Sequence, residues 1–340
     1  MTTQQSINSN NHPEKRVGVL ITNLGTPDAP TKTALRRYLK EFLWDPRVVQ
    51  IPRFIWWIIL NLFILPFRPK KSAKLYESIW TEEGSPLLVH TKNLAAKLSE
   101  KINENWGDEI VLDFAMRYGS NAIDEKIQQM VANGVNRFLV IPLYPQYSET
   151  TTASTLDAIE QSFKKLKQQP ELRFIDNYHD FPEYINACAN QIKQRCKMPD
   201  CNGNLLFSFH GLPQSFVDNG DPYYEQCLKT SRLIATELNL KQDEFFTTFQ
   251  SRFGKAEWLK PYTEDTLKSL PKQGVKSIHV FCPGFSADCL ETLEEIDHEN
   301  RQHFLQSGGE NFQYIPALNA DPMHVDMLIK LIENNLKEWH

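Results

Sequence analysis

The stretch NLLFSFHGLP, residues 204–213, decides how the rest of the chain is read. An apolar run leads straight into a histidine, then a glycine and, two residues on, a proline. Such a run reads as a buried strand punctuated at its end. Taken alone, His210 is more often a satisfied core residue than a working one. A second meaning comes from architecture: in open α/β sheets, ligands sit beyond the carboxyl ends of parallel strands. The surrounding pattern decides between the two.

That pattern alternates. Short apolar runs at 17–24, 110–117, 138–143, 172–175, 205–210, 245–249, 278–282 and 314–318 read as buried parallel strands. Amphipathic stretches lie between them, as where Ile123, Ile127, Met130 and Val131 recur at helical spacing. Alternation of this kind predicts an α/β fold with parallel sheets. A weak internal repeat points the same way. GVNRFLVIPLYPQYS at 134–148 and GVKSIHVFCPGFS at 274–286 each run Gly-Val, strand, Pro, aromatic, Ser. Two similar α/β halves account for it, and 340 residues exceed one typical core. The expected organisation is a disordered tail at 1–15, a first domain at 16–165, a second at 166–320 and a helix at 321–340.

Composition excludes several classes. A net charge of -5 leaves no basic surplus for general nucleic-acid binding. Six cysteines at 188, 196, 201, 227, 282 and 289 form no CxxC pair, and residues 1–15 lack the apolar core of a secretory signal. Free thiols in the cytoplasm are the natural reading. There is no HExxH, Walker loop, GxSxG or GxGxxG, which removes support from hydrolase, kinase and dinucleotide readings.

Residues 54–67 form fourteen consecutive positions with one polar side chain, Asn61. That is short of the ~20 residues that span a bilayer. The run is either buried structure or an exposed apolar lip. Arg53, Arg68, Lys70, Lys71 and Lys74 flank it and favour the lip, because basic groups beside apolar ones suit an anionic lipid surface.

The densest chemistry follows the second repeat copy. Asp288, Glu291, Glu295 and Glu299 recur at three- and four-residue spacing, which places them on one helical face. Most such rows are solvated faces. Here the row opens just after a strand end, on the ligand side of a sheet. Carboxylates there suit hard divalent cations, and His210 adds a base with a pKa near neutrality. Arg117 and Tyr118 end one expected strand, and Trp258 follows another. Aromatic walls with a few cationic and hydroxyl donors suit a planar, largely apolar ligand with acidic substituents.

These residues are similar to those of ferrochelatases. The resemblance runs over about residues 16–338 through NLGTP (23–27), GSPL (84–87), FAMRYG (114–119), PLYPQYS (142–148), FSFHGLP (207–213), QSRFG (250–254) and CPGFSADCLETLEEI (282–296). It implies two Rossmann-like domains with a porphyrin cleft between them, the last helix returning to the first domain. It implies a lyase that inserts Fe2+ into protoporphyrin IX, giving protohaem and two protons, the last step of haem biosynthesis. By resemblance, His210 accepts a proton, ligates the metal, or does both in turn. Glu291 is its acidic partner, and Asp288 and Glu295 extend a polar path to solvent. Leu24, Tyr76, Ser85, Arg117, Tyr118, Trp258 and Phe285 line the porphyrin site.

Two departures carry consequences. Cys289 stands where the family often has histidine. The chain has no cysteine after Cys289, whereas some members bind a 2Fe–2S cluster through C-terminal cysteines, so no cluster and no organic cofactor are expected. Leu24 stands where coproporphyrin-type relatives tend to have tyrosine, which favours the less acidic protoporphyrin. A cytoplasmic protein with peripheral membrane contact through 54–67 is expected. Monomer and dimer are both open. The rivals are another tetrapyrrole chelatase, acting on coproporphyrin or sirohydrochlorin, and a porphyrin or haem carrier without catalysis; a two-domain solute-binding protein is disfavoured by the missing signal.

Overall fold

The computed structural model describes residues 16–196, 204–254, 256–337 and 339. The tail expected at 1–15 lies outside them. Eight strands form two four-stranded parallel sheets: β1 (Arg16–Thr26), β2 (Ile110–Gly119), β3 (Val135–Pro142) and β4 (Glu171–Phe174) in the order β2-β1-β3-β4, and β5 (Asn204–His210), β6 (Phe245–Gln250), β7 (Ser277–Phe281) and β8 (Asn311–Ile315) in the order β6-β5-β7-β8. The two orders are the same pattern repeated. The repeat copies in the sequence fall on β3 and β7, which hold equivalent places.

Strands form where both faces can be covered. Val19, Leu20 and Ile21 of β1, and Leu206, Phe207 and Phe209 of β5, are fully buried, as expected of parallel strands sandwiched by helices. The helices begin at recognisable signals. Thr31 caps Lys32–Trp44 by accepting from the Ala34 amide, and Asp321 caps Pro322–Leu336 by accepting from the Met323 amide at 2.9 Å. Pro86 opens the long helix Pro86–Trp106, where its missing N–H costs nothing.

Two boundaries differ from expectation. The division expected at 165/166 would put β4 in the second domain, yet β4 hydrogen-bonds β3 from Arg137↔Glu171 to Val140↔Phe174. The helix Ser154–Phe163 is therefore a crossover within the first sheet, and the chain passes to the second half only after Phe174. The last strand, expected at 314–318, is Asn311–Ile315; Ala317 and Leu318 are buried in the loop that follows.

One core spans both halves, joining Val19, Ile21, Leu94 and Leu98 to Ile192, Phe207, Leu328 and Ile332. Helix Pro322–Leu336 packs on Pro86–Trp106 and on Pro182–Cys196. Beyond it, Trp339 lies 4.3 Å below the Arg173 guanidinium and donates from Nε1 to Glu171 Oε1 at 2.6 Å.

Candidate active site

The carboxyl ends of β5, β6 and β7 converge on His210. β5 ends at that residue, paired with Gln250 of β6. His210 is half-buried, and its Nδ1 lies 2.6 Å from the Gly211 carbonyl oxygen. A carbonyl only accepts, so the proton sits on Nδ1. In the neutral ring Nε2 then carries the lone pair, able to take a proton or a metal ion. Gly211 is required beside it. A Cβ there would meet the Gln250 carbonyl oxygen at 2.7 Å and the Trp258 ring at 3.2 Å. Trp258 thus packs over this turn, fixed by its Nε1 donating to the Phe253 carbonyl at 2.8 Å.

Three members of the acidic row, Glu291, Glu295 and Glu299, lie on a π-helix, Glu291–Asn300. Its hydrogen bonds close five residues back, as Arg301 N–H to the Ile296 carbonyl, and such widened turns recur at functional sites. Gln250 holds its opening. It donates from Nε2 to the Glu291 carbonyl at 2.9 Å, while its Oε1 accepts from Ser208 at 2.8 Å. Glu295 is gripped by the next residue, with Ser251 donating its amide to Oε1 at 2.6 Å and its hydroxyl to Oε2. Ser251 adopts φ 64 to do so, a conformation rare outside glycine and found where function demands it.

Electrostatics separates the members of the row. Burial raises the Glu295 carboxyl above its usual value; Ser251 and the charge of His210 oppose this, and Glu291 adds to it. Glu291 also sits among buried phenols, where burial first and then its negative charge raise Tyr76, and burial, Tyr76 and Glu291 in turn raise Tyr38. Cys289 lies beside it, buried against Leu87 and Ala287. Burial, reinforced by Glu291, pushes this thiol well up, so it stays neutral.

Asp288 stands apart from the row. It is buried, and its carboxylate accepts from the Tyr314 hydroxyl, Thr292 Oγ1 at 3.1 Å, the Ala317 amide at 3.2 Å and Asn319 Nδ2 at 2.7 Å. Helical spacing aligned it with Glu291, but it precedes the π-helix and turns toward the loop after β8.

Both halves contribute to an apolar wall nearby. Leu24 and Phe285 are half-buried and share an apolar cluster with Leu87, Ala287 and Cys289, so the structure brings these two sequence-singled residues together. Tyr76, Ser85 and Tyr118 are buried. Thr26 links the first two, donating to Ser85 Oγ at 2.7 Å and hydrogen-bonding Tyr76. Arg117 and Tyr118 are held by a residue that sequence reading missed. Asp45, side chain 5% exposed, accepts from Arg117 at 2.6 Å, Tyr118 at 2.8 Å and Ser154 at 2.6 Å. Burial works against its charge, but the hydrogen bonds from Ser154, Tyr118 and the Arg47 amide, with Arg117, hold its pKa below the usual value. Asp45 had no local signal, being 72 residues from its partner. Gln250 and Ser251 were visible only as part of QSRFG.

The apolar segment forms an amphipathic hook, helix Arg53–Ile59 followed by the π-turn Leu60–Ile64. Trp56, Leu60 and Leu65 are buried, while Phe54, Trp57, Leu62, Phe63 and Phe67 are 53–78% exposed. Its end reaches the second half, where the Arg68 guanidinium lies 4.6 Å from the Phe253 ring. No described helix is long and apolar enough to cross a membrane.

The Ferrochelatase family model matches residues 16–336. The chain belongs to the ferrochelatase family. It is 57% identical to the ferrochelatase of Idiomarina loihiensis over 95% of this chain and 89% of that relative, and 55% identical to that of Marinobacter nauticus over 97% and 89%. Among solved structures, SirB from Bacillus subtilis with Fe3+ superposes with a TM-score of 0.57 over 94% of this chain and 95% of that one, at 11% identity, a likeness of fold. A second SirB structure, the sirohydrochlorin chelatase in complex with cobalt, gives 0.54. As a ferrochelatase the chain is a metal chelatase of the lyase class, with ferrous iron and a porphyrin as substrates.

Proposed function

We propose that His210 and Glu291 carry the insertion of Fe2+ into protoporphyrin IX, giving protohaem and two protons. The observation that carries this reading is the contact of His210 Nδ1 with the Gly211 carbonyl. That contact commits the Nδ1–H, so Nε2 is free to receive a pyrrole proton as iron enters. A protonated imidazole cannot also hold iron, so proton acceptance and metal ligation exclude each other in any one step. Glu291 is then the carboxylate available to the ion. Glu295, whose raised carboxyl holds a proton more readily, relays protons outward past Ser251. Asp288 supports this arrangement from behind.

Leu24 and Phe285, both packed on the Leu87–Ala287–Cys289 cluster, offer an apolar wall, which suits the vinyl-bearing protoporphyrin better than a substrate with more carboxylates. The exposed face of 54–67, with Arg53, Lys70, Lys71 and Lys74 alongside, suits peripheral contact with anionic lipid at the inner face of a membrane, where a poorly soluble product partitions. Iron and porphyrin are the small molecules this reading requires, with no iron–sulfur cluster.

The test follows the porphyrin-to-haem absorbance change anaerobically with protoporphyrin IX and Fe2+, for wild type and His210→Ala. Wild-type turnover lost in the variant supports the assignment. A stoichiometric spectral shift without turnover in the wild type points to a carrier, and a response only to coproporphyrin III or sirohydrochlorin overturns the substrate.

A further inference from the structure

The reaction makes no direct use of residue 319, yet every polar group of Asn319 is spent on one turn. Its backbone is left-handed, φ 49, which asparagine tolerates better than most residues. Its side chain meets Asp288 with both ends: Oδ1 accepts from the Asp288 amide at 2.8 Å, and Nδ2 donates to Asp288 Oδ2 at 2.7 Å. Its own amide donates to the Ser286 carbonyl at 2.9 Å. Its carbonyl accepts from His324 Nδ1 at 2.6 Å.

His324 is completely buried under this turn. Burial lowers its pKa to about 4, so it remains neutral with its proton directed at Asn319. Above the turn, Asp288 passes the constraint on. Its Oδ1 accepts from Thr292, the residue that follows Glu291 in the π-helix. From His324 to Thr292 the contacts are continuous, and they end one residue inside the π-helix.

We propose that Asn319 is a positioning residue for Glu291: its two-ended hold on Asp288 sets the angle and depth at which the π-helix enters, and with them the place of the Glu291 carboxylate relative to His210. The inference rests on Glu291 acting in metal insertion as proposed above. A misplacement of about 1 Å costs on the order of 10²-fold in rate, so a loosened start of this helix is costly without any contact between Asn319 and substrate.

Asn319→Gly keeps the left-handed backbone accessible and removes both side-chain contacts. The expected result is a kcat lower by about 10–100-fold and a raised KM for Fe2+. Porphyrin affinity, measured by quenching of protein fluorescence, is expected to stay within about twofold. A purely structural role would instead lower the folded fraction and leave turnover per folded molecule unchanged, which overturns the proposal. A double-mutant cycle completes the test. If Asn319 acts through Glu291, adding Asn319→Gly to Glu291→Gln produces little further loss; full multiplication of the two losses overturns the proposal. If Glu291→Gln alone turns over like wild type, the role given to Glu291 fails first and this inference falls with it. Should the glycine variant not fold, Asn319→Ser removes both side-chain contacts with Asp288 while keeping a small polar side chain at the turn. The same loss of kcat is expected there, and wild-type turnover overturns the proposal.

Discussion

The ends of β1 and β5 are built alike and finished differently. Leu24-Gly25-Thr26-Pro27 closes the first and His210-Gly211-Leu212-Pro213 the second, at equivalent places in their sheets. In each, the glycine lies against the neighbouring strand. A Cβ on Gly25 would meet the Tyr118 carbonyl oxygen at 1.9 Å, and one on Gly211 that of Gln250 at 2.7 Å. The residue before the glycine is leucine in one half and histidine in the other. The next strands repeat the contrast. β3 leads to a five-residue π-helix, Glu149–Ala153, and β7 to one of ten residues bearing Glu291 and Glu295. The frame is duplicated and the chemistry is not. On the function proposed above, protons and metal fall to the second half, while the first contributes Leu24 and Leu87 to the apolar wall and the Asp45–Arg117 ion pair.

If that division holds, second-half substitutions change turnover and first-half substitutions change stability or binding. The largest effect is expected from Glu291→Gln, with turnover down by about 10²–10⁴-fold and porphyrin quenching retained. Loss of porphyrin binding together with turnover would erase the contrast.

Asp45→Asn comes next. Removing one partner of a buried ion pair destabilises by about 3–5 kcal/mol, read as a lower midpoint in urea. The pH dependence sharpens the attribution. Because the folded pKa of Asp45 is depressed, its contribution is complete above the unfolded value near about 4 and is lost as pH falls through the folded value. The wild type should therefore lose its advantage over Asp45→Asn as the pH drops below about 4. An advantage that grows in acid would contradict the assignment.

Replacing Phe54 and Phe63 together by serine should weaken flotation with anionic vesicles by about tenfold or more, since half-burying two phenylalanines stabilises by about 2 kcal/mol, with solution turnover unchanged. Vesicles that fail to float the wild type remove membrane contact from the first half's role. The smallest effect is expected from Arg68→Ala. A partly exposed cation–π contact is worth about 0.5–1 kcal/mol, so Tm should fall by roughly 1–4 °C.

Much of this frame was legible in the sequence because parallel strands covered on both faces read as plain apolar runs. Seven of the eight expected runs lie on their strands, apart from one or two residues at an end. The run at 314–318 slid because Ala317 and Leu318 are buried without being in a strand, and burial alone does not separate the two. The expected division missed β4 because a crossover within a sheet and a passage between sheets look the same in one dimension. His210, Glu291 and Glu295 stood out through chemistry at a strand end and regular spacing. The same spacing misplaced Asp288, since three residues of separation mean one face only if the helix has already begun. Asp45, Gln250 and Asn319 act through contacts 31–109 residues away along the chain, and no local pattern encodes such partners.

The docking of Trp339 and helix Pro322–Leu336 bears on the order of events during synthesis. Leu94, Ala95, Leu98 and Ile102 of the early helix Pro86–Trp106 share a core with Leu328, Ile332 and Leu336, and Glu171 receives its indole partner from residue 339. These late residues leave the ribosome after both sheets have been made. The half translated first is therefore completed last, and a nascent chain carries an apolar helix face awaiting cover until its far segment arrives, a stage at which exposed hydrophobic surface calls for chaperone protection.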